Sequence, residues 1–292
     1  EPYEFESGLN SINWQDRIYR TGIIQNHSLS LQGGNENTKY FLSGSFMDDK
    51  PIIRETNFQK YDLKLNIDQR LRKNIKVGAS LSYNFIANTG VPTDGREGTA
   101  FGVVMGSLIG VPLRMDQDTQ AYFRRAGVEQ INIGNFADNY LGDPENIARN
   151  TDLDKKLSRF IANSYMDWNI TKKLNLRVSG GVDMFNGKDQ QFYPTNTPWG
   201  FLTQGSAIVA SFLNRSWLNE NILTYNDSFG EDHKINIVGG ATIQSSHFEF
   251  LRTENNSFEN EILGYNQIGS AGTFRNISAV QDLKLLGFLL RA

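Results

Sequence analysis

Two stretches of this chain gather side chains able to hold a polyhydroxylated ligand. In the first, Arg114, Asp116, Asp118, Tyr122, Phe123, Arg124 and Arg125 mix planar rings with carboxylates and guanidinium groups. Sugars stack their apolar faces on rings, and their hydroxyls bond to such polar groups. Arg114, Asp116, Tyr122 and Phe123 are therefore candidate ligand contacts, against the plainer reading of a solvated loop. In the second, Phe192, Tyr193, Pro194, Pro198, Trp199, Gly200 and Phe201 set rings beside rigid turns. Trp199 and Phe201 are candidates for stacking, the alternative being that Trp199 anchors its own loop by packing on its neighbours.

Other chemistries find no residues to carry them. There is no cysteine, so disulfides and thiolate metal sites are excluded. Only His27, His233 and His247 are available for a histidine-rich metal centre, and each falls near an expected strand end. Asp116-Gln117-Asp118 resembles a calcium-loop fragment but lacks the glycine and the distal glutamate of an EF-hand. The chain holds no nucleophile elbow, no H-E-x-x-H pair and no phosphate-binding glycine loop. No cofactor and no catalytic role are expected. The six Asn-X-Ser/Thr triplets, at Asn26, Asn169, Asn214, Asn226, Asn256 and Asn276, are what an asparagine-rich chain yields by chance.

The elements that must position these groups are strands. From Tyr61 to Asp68 every odd position is apolar and every even one polar, and after a turn at Arg72, Lys73 and Asn74 the alternation resumes from Ile75 to Phe85. Successive strand side chains point to opposite faces, so this hairpin has one apolar and one wet face. Three similar hairpins join Ile24–Gly33 to Lys39–Asp48, Lys156–Ile170 to Leu174–Asn186, and Asn214–Tyr225 to His233–Ser246. A ninth strand runs from about Gln281 to Ala292. Asp62, Asp68, Asp167 and Asp183 fall on the wet faces, where they read as lining water rather than as acid and base catalysts.

Segments 49–57, 87–153, 187–213 and 247–280 separate the hairpins, and three of them are far longer than the usual connections of compact soluble domains. Short turns alternating with long loops are what a transmembrane β-barrel writes into its sequence. If the short turns are periplasmic, residues 1–22 belong to an outer loop and the chain starts and stops in mid-barrel. In the longest insert, the apolar run Gly98–Gly110 predicts a helix, capped by Thr93 or Asp94 with Glu97 in its first turn and stopped by Pro112. That helix either buries itself under its own loop or meets a partner.

Composition agrees. With 29 basic and 32 acidic residues and no basic stripe, nucleic acid is excluded as a partner. No run reaches the 18 or so apolar residues of a spanning helix, and mean hydropathy is −0.44; a barrel needs no such run, since only alternate residues meet lipid. The first residues lack the basic and apolar regions of a signal peptide, as an internal fragment would. Tyr40, Tyr61, Tyr83, Phe85, Tyr165, Trp168, Trp217 and Tyr225 stand near strand ends, where a barrel carries its aromatic girdles.

The run from Asn13 to Gly22 (NWQDRIYRTG), followed by Gln25 to Tyr40 (QNHSLSLQGGNENTKY), resembles the early barrel of the SusC/RagA family of TonB-dependent outer-membrane transporters. It couples a Trp-Gln-Asp loop, an Asn-His strand start and a Gly-Gly-Asn turn in order. The likeness extends through Phe58–Asp68, Phe160–Phe185, Trp217–Tyr225 and His233–Gly240 and fades in the long loops. It implies a barrel of about 22 strands, of which residues 1–292 supply some nine, without the family's plug or its TonB-contacting segment. It also implies import of a nutrient, typically an oligosaccharide and in some members a peptide. Its expected partners are a SusD-like surface lipoprotein as lid, the TonB complex as energy source, and outer-membrane lipid.

Two other readings share parts of this pattern. A soluble carbohydrate-binding β-protein would bury Leu63, Leu65, Ile67, Val77 and Leu81 under a second sheet, whereas a barrel turns them to lipid. A passive porin or adhesin barrel would share the strands and lack a plug. Expressed alone, an open sheet with two free edges and an uncovered apolar face is expected to aggregate.

Overall fold

A computed structural model of the chain describes residues 12–93, 102–109, 144–229 and 233–292. Nine strands form one sheet in the order of the sequence, β1-β2-β3-β4-β5-β6-β7-β8-β9, each antiparallel to the next. They are β1 Ile23–Gly34, β2 Thr38–Lys50, β3 Asn57–Arg72, β4 Ile75–Gly90, β5 Asp152–Asn169, β6 Leu174–Tyr193, β7 Ser206–Phe229, β8 His233–Phe258 and β9 Ala271–Arg291. The sheet is a segment of barrel wall and does not close on itself. No described helix is long and apolar enough to cross a membrane.

The turns at one end follow from local chemistry. Asn35 Oδ1 accepts from the backbone N–H groups of Asn37 and Thr38 at 2.8 and 2.9 Å, and Thr171 Oγ1 does the same for Lys173 and Leu174. Such side chains stand in for backbone partners and close a turn in few residues. Asn74 Nδ2 donates to Asn169 O at 3.2 Å, tying neighbouring hairpins together at this end.

Register puts the apolar side chains on one face. Leu42, Leu65, Leu81, Ala162, Val182 and Trp217 share a rung across six strands. Leu63, Leu65 and Ile67 remain 38 to 44% exposed, and Val77 and Leu81 are half-buried. No second sheet covers them among the described residues. That is the arrangement of a wall with lipid for a neighbour, not of a sandwich. On β6 the alternation of exposure is sharp: Val182, Met184, Asn186 and Lys188 are exposed, while Asp183, Phe185 and Asp189 are partly buried. The apolar face is therefore convex and the wet face concave.

The strands run well past the alternating stretches. β6 continues to Tyr193, β7 begins at Ser206, β8 continues to Phe258 and β9 begins at Ala271. The expected inserts 187–213 and 247–280 thus shrink to loops 194–205 and 259–270. Above the lipid both faces of a strand meet water or protein, so the backbone ladder persists where the apolar alternation has no reason to. The 87–153 insert keeps its length, with β4 ending at Gly90 and β5 starting at Asp152.

The dry cores sit in two caps on the long-loop end. In the first, α1 (Trp14–Ile18), α2 (Val103–Ile109) and α3 (Pro144–Asn150) pack together, burying Ile18, Val91, Val103, Ile147 and Ala148. Within the expected Gly98–Gly110 run, Gly102 stands outside the helix and α2 begins at Val103, whose N–H donates to Pro92 O. Asp94, Glu97, Gly98, Gly110 and Pro112 lie outside the described residues. In the second cap, Phe192, Ala207, Phe258 and Ala271 pack with Tyr265 and Ile268 of a 3-10 helix, Gly264–Ser270.

Candidate functional site

The concave wall of β5 to β8 carries a constellation that no single stretch of sequence displays. On one rung stand Leu157, Gly187, Phe212 and Phe250; on the next toward the short turns stand Arg159, Phe185, Asn214 and Phe248. Phe185 and Phe212 lie 5.1 Å apart between ring centroids at 52°. Gly187 makes this possible, because a Cβ there would occupy the Phe212 ring. Phe212, Phe248 and Phe250 remain partly accessible from the concave side.

Polar groups frame the rings. Toward the short turns Arg159 grips Asp183 with two hydrogen bonds, Nε to Oδ1 at 3.0 Å and a terminal nitrogen to Oδ2 at 2.7 Å. Toward the long loops Arg252 lies 3.6 Å from Glu254. There too Gln191 donates to Asp189 at 3.1 Å and accepts from the Tyr193 hydroxyl at 3.2 Å. The arrangement offers flat apolar surface with charged and amide groups at its margins, a setting for holding a neutral organic ligand by its faces and its polar substituents. The outward positions on the same stretch of β6, Asn186, Lys188 and Gln190, are polar, which sets these rungs above the lipid-facing band.

Nearer the short turns the concave face is locked by Tyr165. Its hydroxyl donates to Asp68 at 2.5 Å across Gly78, and its ring lies beneath Lys76 Nζ and the Arg177 guanidinium at 5.5 and 4.8 Å. Asp62 accepts from Asn84 at 2.6 Å and Ser45 at 3.2 Å and pairs with Lys60. These carboxylates are structural partners on a wet wall.

Of the ring residues singled out in the sequence, Trp199 and Phe201 stand on α4, Pro198–Thr203. Thr197 caps this helix, accepting from Gly200 N–H and donating to Pro194 O, and Gln204 ends it in the left-handed region at φ 54°. Trp199 is half-buried and Phe201 is 61% exposed at the long-loop end. Arg114, Asp116, Tyr122 and Phe123 lie outside the described residues. Loop 194–205 is fastened to loop 259–270, with Glu261 accepting from Thr195 N–H at 2.8 Å and from its hydroxyl at 3.0 Å. Tyr265 donates to Asp154 at 2.5 Å; burial first, and the Asp154 carboxylate second, push its phenol above the ordinary range. Among the described residues no group of three or more His, Asp or Glu gathers to hold a metal.

Comparison with known proteins agrees with this geometry. No family model matches the chain. TonB-dependent receptor P3 of Formosa agariphila is 28% identical over 284 residues, covering 97% of this chain and 28% of that protein. TonB-dependent receptor SusC of Bacteroides thetaiotaomicron is 30% identical over 93 residues, 30% of this chain and 9% of that protein. The structure of the RagAB peptide transporter shares the fold, with a TM-score of 0.67 and 19% identity over 96% of this chain and 31% of that one. The chain thus spans about a quarter of the length of such relatives.

Proposed function

We propose that this chain, a barrel segment of the SusC/RagA family of TonB-dependent receptors, forms part of the wall of an active nutrient importer in the bacterial outer membrane. Residues 1–292 are one portion of a larger barrel domain whose plug and remaining strands come from other sequence. A SusD-like lipoprotein caps the long-loop end, and the TonB complex drives release through segments outside this stretch. The cargo is an oligosaccharide, held by stacking on rings and by hydrogen bonds from the polar groups around them; a peptide is the alternative. The chain has no catalytic part in this.

The observation that supports the reading best is the uninterrupted nine-stranded meander with an uncovered apolar face on one side and a ring-bearing wet wall on the other. Trp199 and Phe201 at the rim meet the cargo first, and Phe212 and Phe250 meet it deeper in the vestibule; Arg114, Asp116, Tyr122 and Phe123 are further contacts that the sequence proposes.

A strain deleted for the full gene and complemented with wild type or Phe212→Ala/Phe250→Ala tests this with radiolabelled glycans and peptides. The double variant should reach the surface normally and lose affinity for one cargo class about tenfold or more, since each buried ring contact contributes about 1 kcal/mol. Uptake that persists without TonB would make the barrel a passive pore. Uptake of peptides alone would move the cargo assignment to peptides.

A further inference from the structure

On the convex face Lys156 of β5 and Lys188 of β6 are directly opposed cross-strand partners. Both are exposed. Directly opposed residues on one face hold their Cβ atoms about 5 Å apart, where like charges repel. Neither lysine has a carboxylate within ion-pair distance among the described residues. Arg215 shares this face of the wall but pairs with Met184, four residues nearer the short turns than Lys188, and stands apart from the two lysines.

The carboxylates that could neutralise them are engaged. Asp154, two positions along β5 on the same face, accepts from the Tyr265 hydroxyl. Glu249 and Asp282 flank His247, each 2.7 Å from one of its ring nitrogens. The other same-face neighbours, Ser158, Asn186, Gln190 and Ser211, are neutral.

Height on the wall says what these cations face. The outward residues of β5 run Trp168, Met166, Ser164, Ala162, Phe160, Ser158, Lys156. A strand rising about 3.3 Å per residue and tilted by about 45° climbs roughly 2.3 Å per residue. Twelve positions above Trp168, Lys156 then lies about 28 Å up, just past an apolar band about 25 Å tall. Lys188 is likewise twelve positions beyond Leu176. The two ammonium groups meet the outer-leaflet headgroups, while the side chains beneath them meet acyl chains.

We propose that Lys156 and Lys188 form a site on the outer wall for the phosphate of an anionic outer-leaflet lipid, the headgroup bridging the two ammonium groups. The proposal rests on the barrel reading, from which its height is taken. A lipid phosphate supplies the negative charge that this patch lacks, and its acyl chains lie against Phe160, Met184 and Val182 below.

The test uses the full-length protein in detergent, titrated by native mass spectrometry with bisphosphorylated lipid A, its dephosphorylated form, and inorganic phosphate. Each lysine near an anionic headgroup contributes about a factor of five in affinity. Lys156→Gln/Lys188→Gln should therefore weaken bisphosphorylated lipid A binding roughly thirtyfold and leave the dephosphorylated lipid unchanged, with Lys156→Arg/Lys188→Arg restoring the wild-type value. Equal binding of both lipids by the wild type, or no loss in the glutamine variant, would overturn the site. Inorganic phosphate binding as tightly as the lipid would overturn the lipid assignment. Recovery of the wild type in the outer-membrane fraction is scored separately, so failure of the barrel reading is told apart from failure of this site.

Discussion

A single charge on the convex face separates a lipid-facing wall from every soluble alternative. Leu65 lies in the outward apolar run Tyr61, Leu63, Leu65 and Ile67 of β3, on a rung with Leu81 and Ala162 that stands six positions above Trp168, about 14 Å up an apolar band about 25 Å tall at about 2.3 Å per residue. Its rung neighbours are Leu42 and Leu81, and 38% of it is open to the surroundings. Leu65→Arg therefore places a guanidinium near the bilayer midplane, at a cost of about 2 to 4 kcal/mol. That corresponds to a factor of roughly thirty to several hundred in the folding equilibrium. Asn66→Arg, one residue along, points to the concave wet face and should shift stability by no more than about 0.5 kcal/mol. Urea titration of the full-length protein folding into lipid vesicles, followed by gel heat-modifiability, measures both. A Leu65→Arg variant as stable as wild type, or an Asn66→Arg variant equally damaged, would refute the assignment of faces.

Other expectations follow from the local contacts. Gly78→Val would drive a side chain into Tyr165 and Asp68, breaking their hydrogen bond. This should destabilise the wall by about 1 to 3 kcal/mol in the same titration. Glu261→Ala removes both bonds to Thr195; discounted for exposure to about 1 kcal/mol, the loss should speed amide exchange in residues 194–205 and 259–270 about fivefold. The Tyr265 phenol is raised above 10.0 by burial and by Asp154. A group raised on folding contributes stability that is fully present below its unfolded pKa and lost as pH rises through its folded value. The second cap should thus be unaffected at neutral pH and loosen only above about pH 10, and an ultraviolet difference titration against Tyr265→Phe would reveal the late-ionising phenol.

Much of the fold was legible because two local signals coincide. The Asn35 and Thr171 turns are chemically self-sufficient, and the strands beside them alternate because one face meets lipid. Where lipid ends the signal ends, which is why Gly187–Tyr193, Ser206–Leu213 and His247–Phe258 read as loops and are strands. The Phe212 wall was illegible for the same reason. Phe185 stood on a recognised strand, but Phe212, Phe248 and Phe250 fell in supposed inserts, and only the register of β6, β7 and β8 brings the four together. Trp199 and Phe201 were findable as rings beside prolines, and α4 gives them a rigid mount. The other candidates, Arg114, Asp116, Tyr122 and Phe123, lie outside the described residues, in a stretch of sequence without strand alternation.

The face bearing Leu63, Leu65 and Ile67 looks into hydrocarbon and the face bearing Asp62, Lys64 and Asn66 into water. Residues 1–292 contain no cysteine, so single cysteines at positions 62 to 67 of the full-length protein can each carry a nitroxide in native outer membranes. Collision with dissolved oxygen against collision with a water-soluble nickel chelate should alternate residue by residue, with oxygen favoured at 63, 65 and 67. Protection of those three positions from both reagents would mean that protein covers them, which is incompatible with a lipid-facing wall.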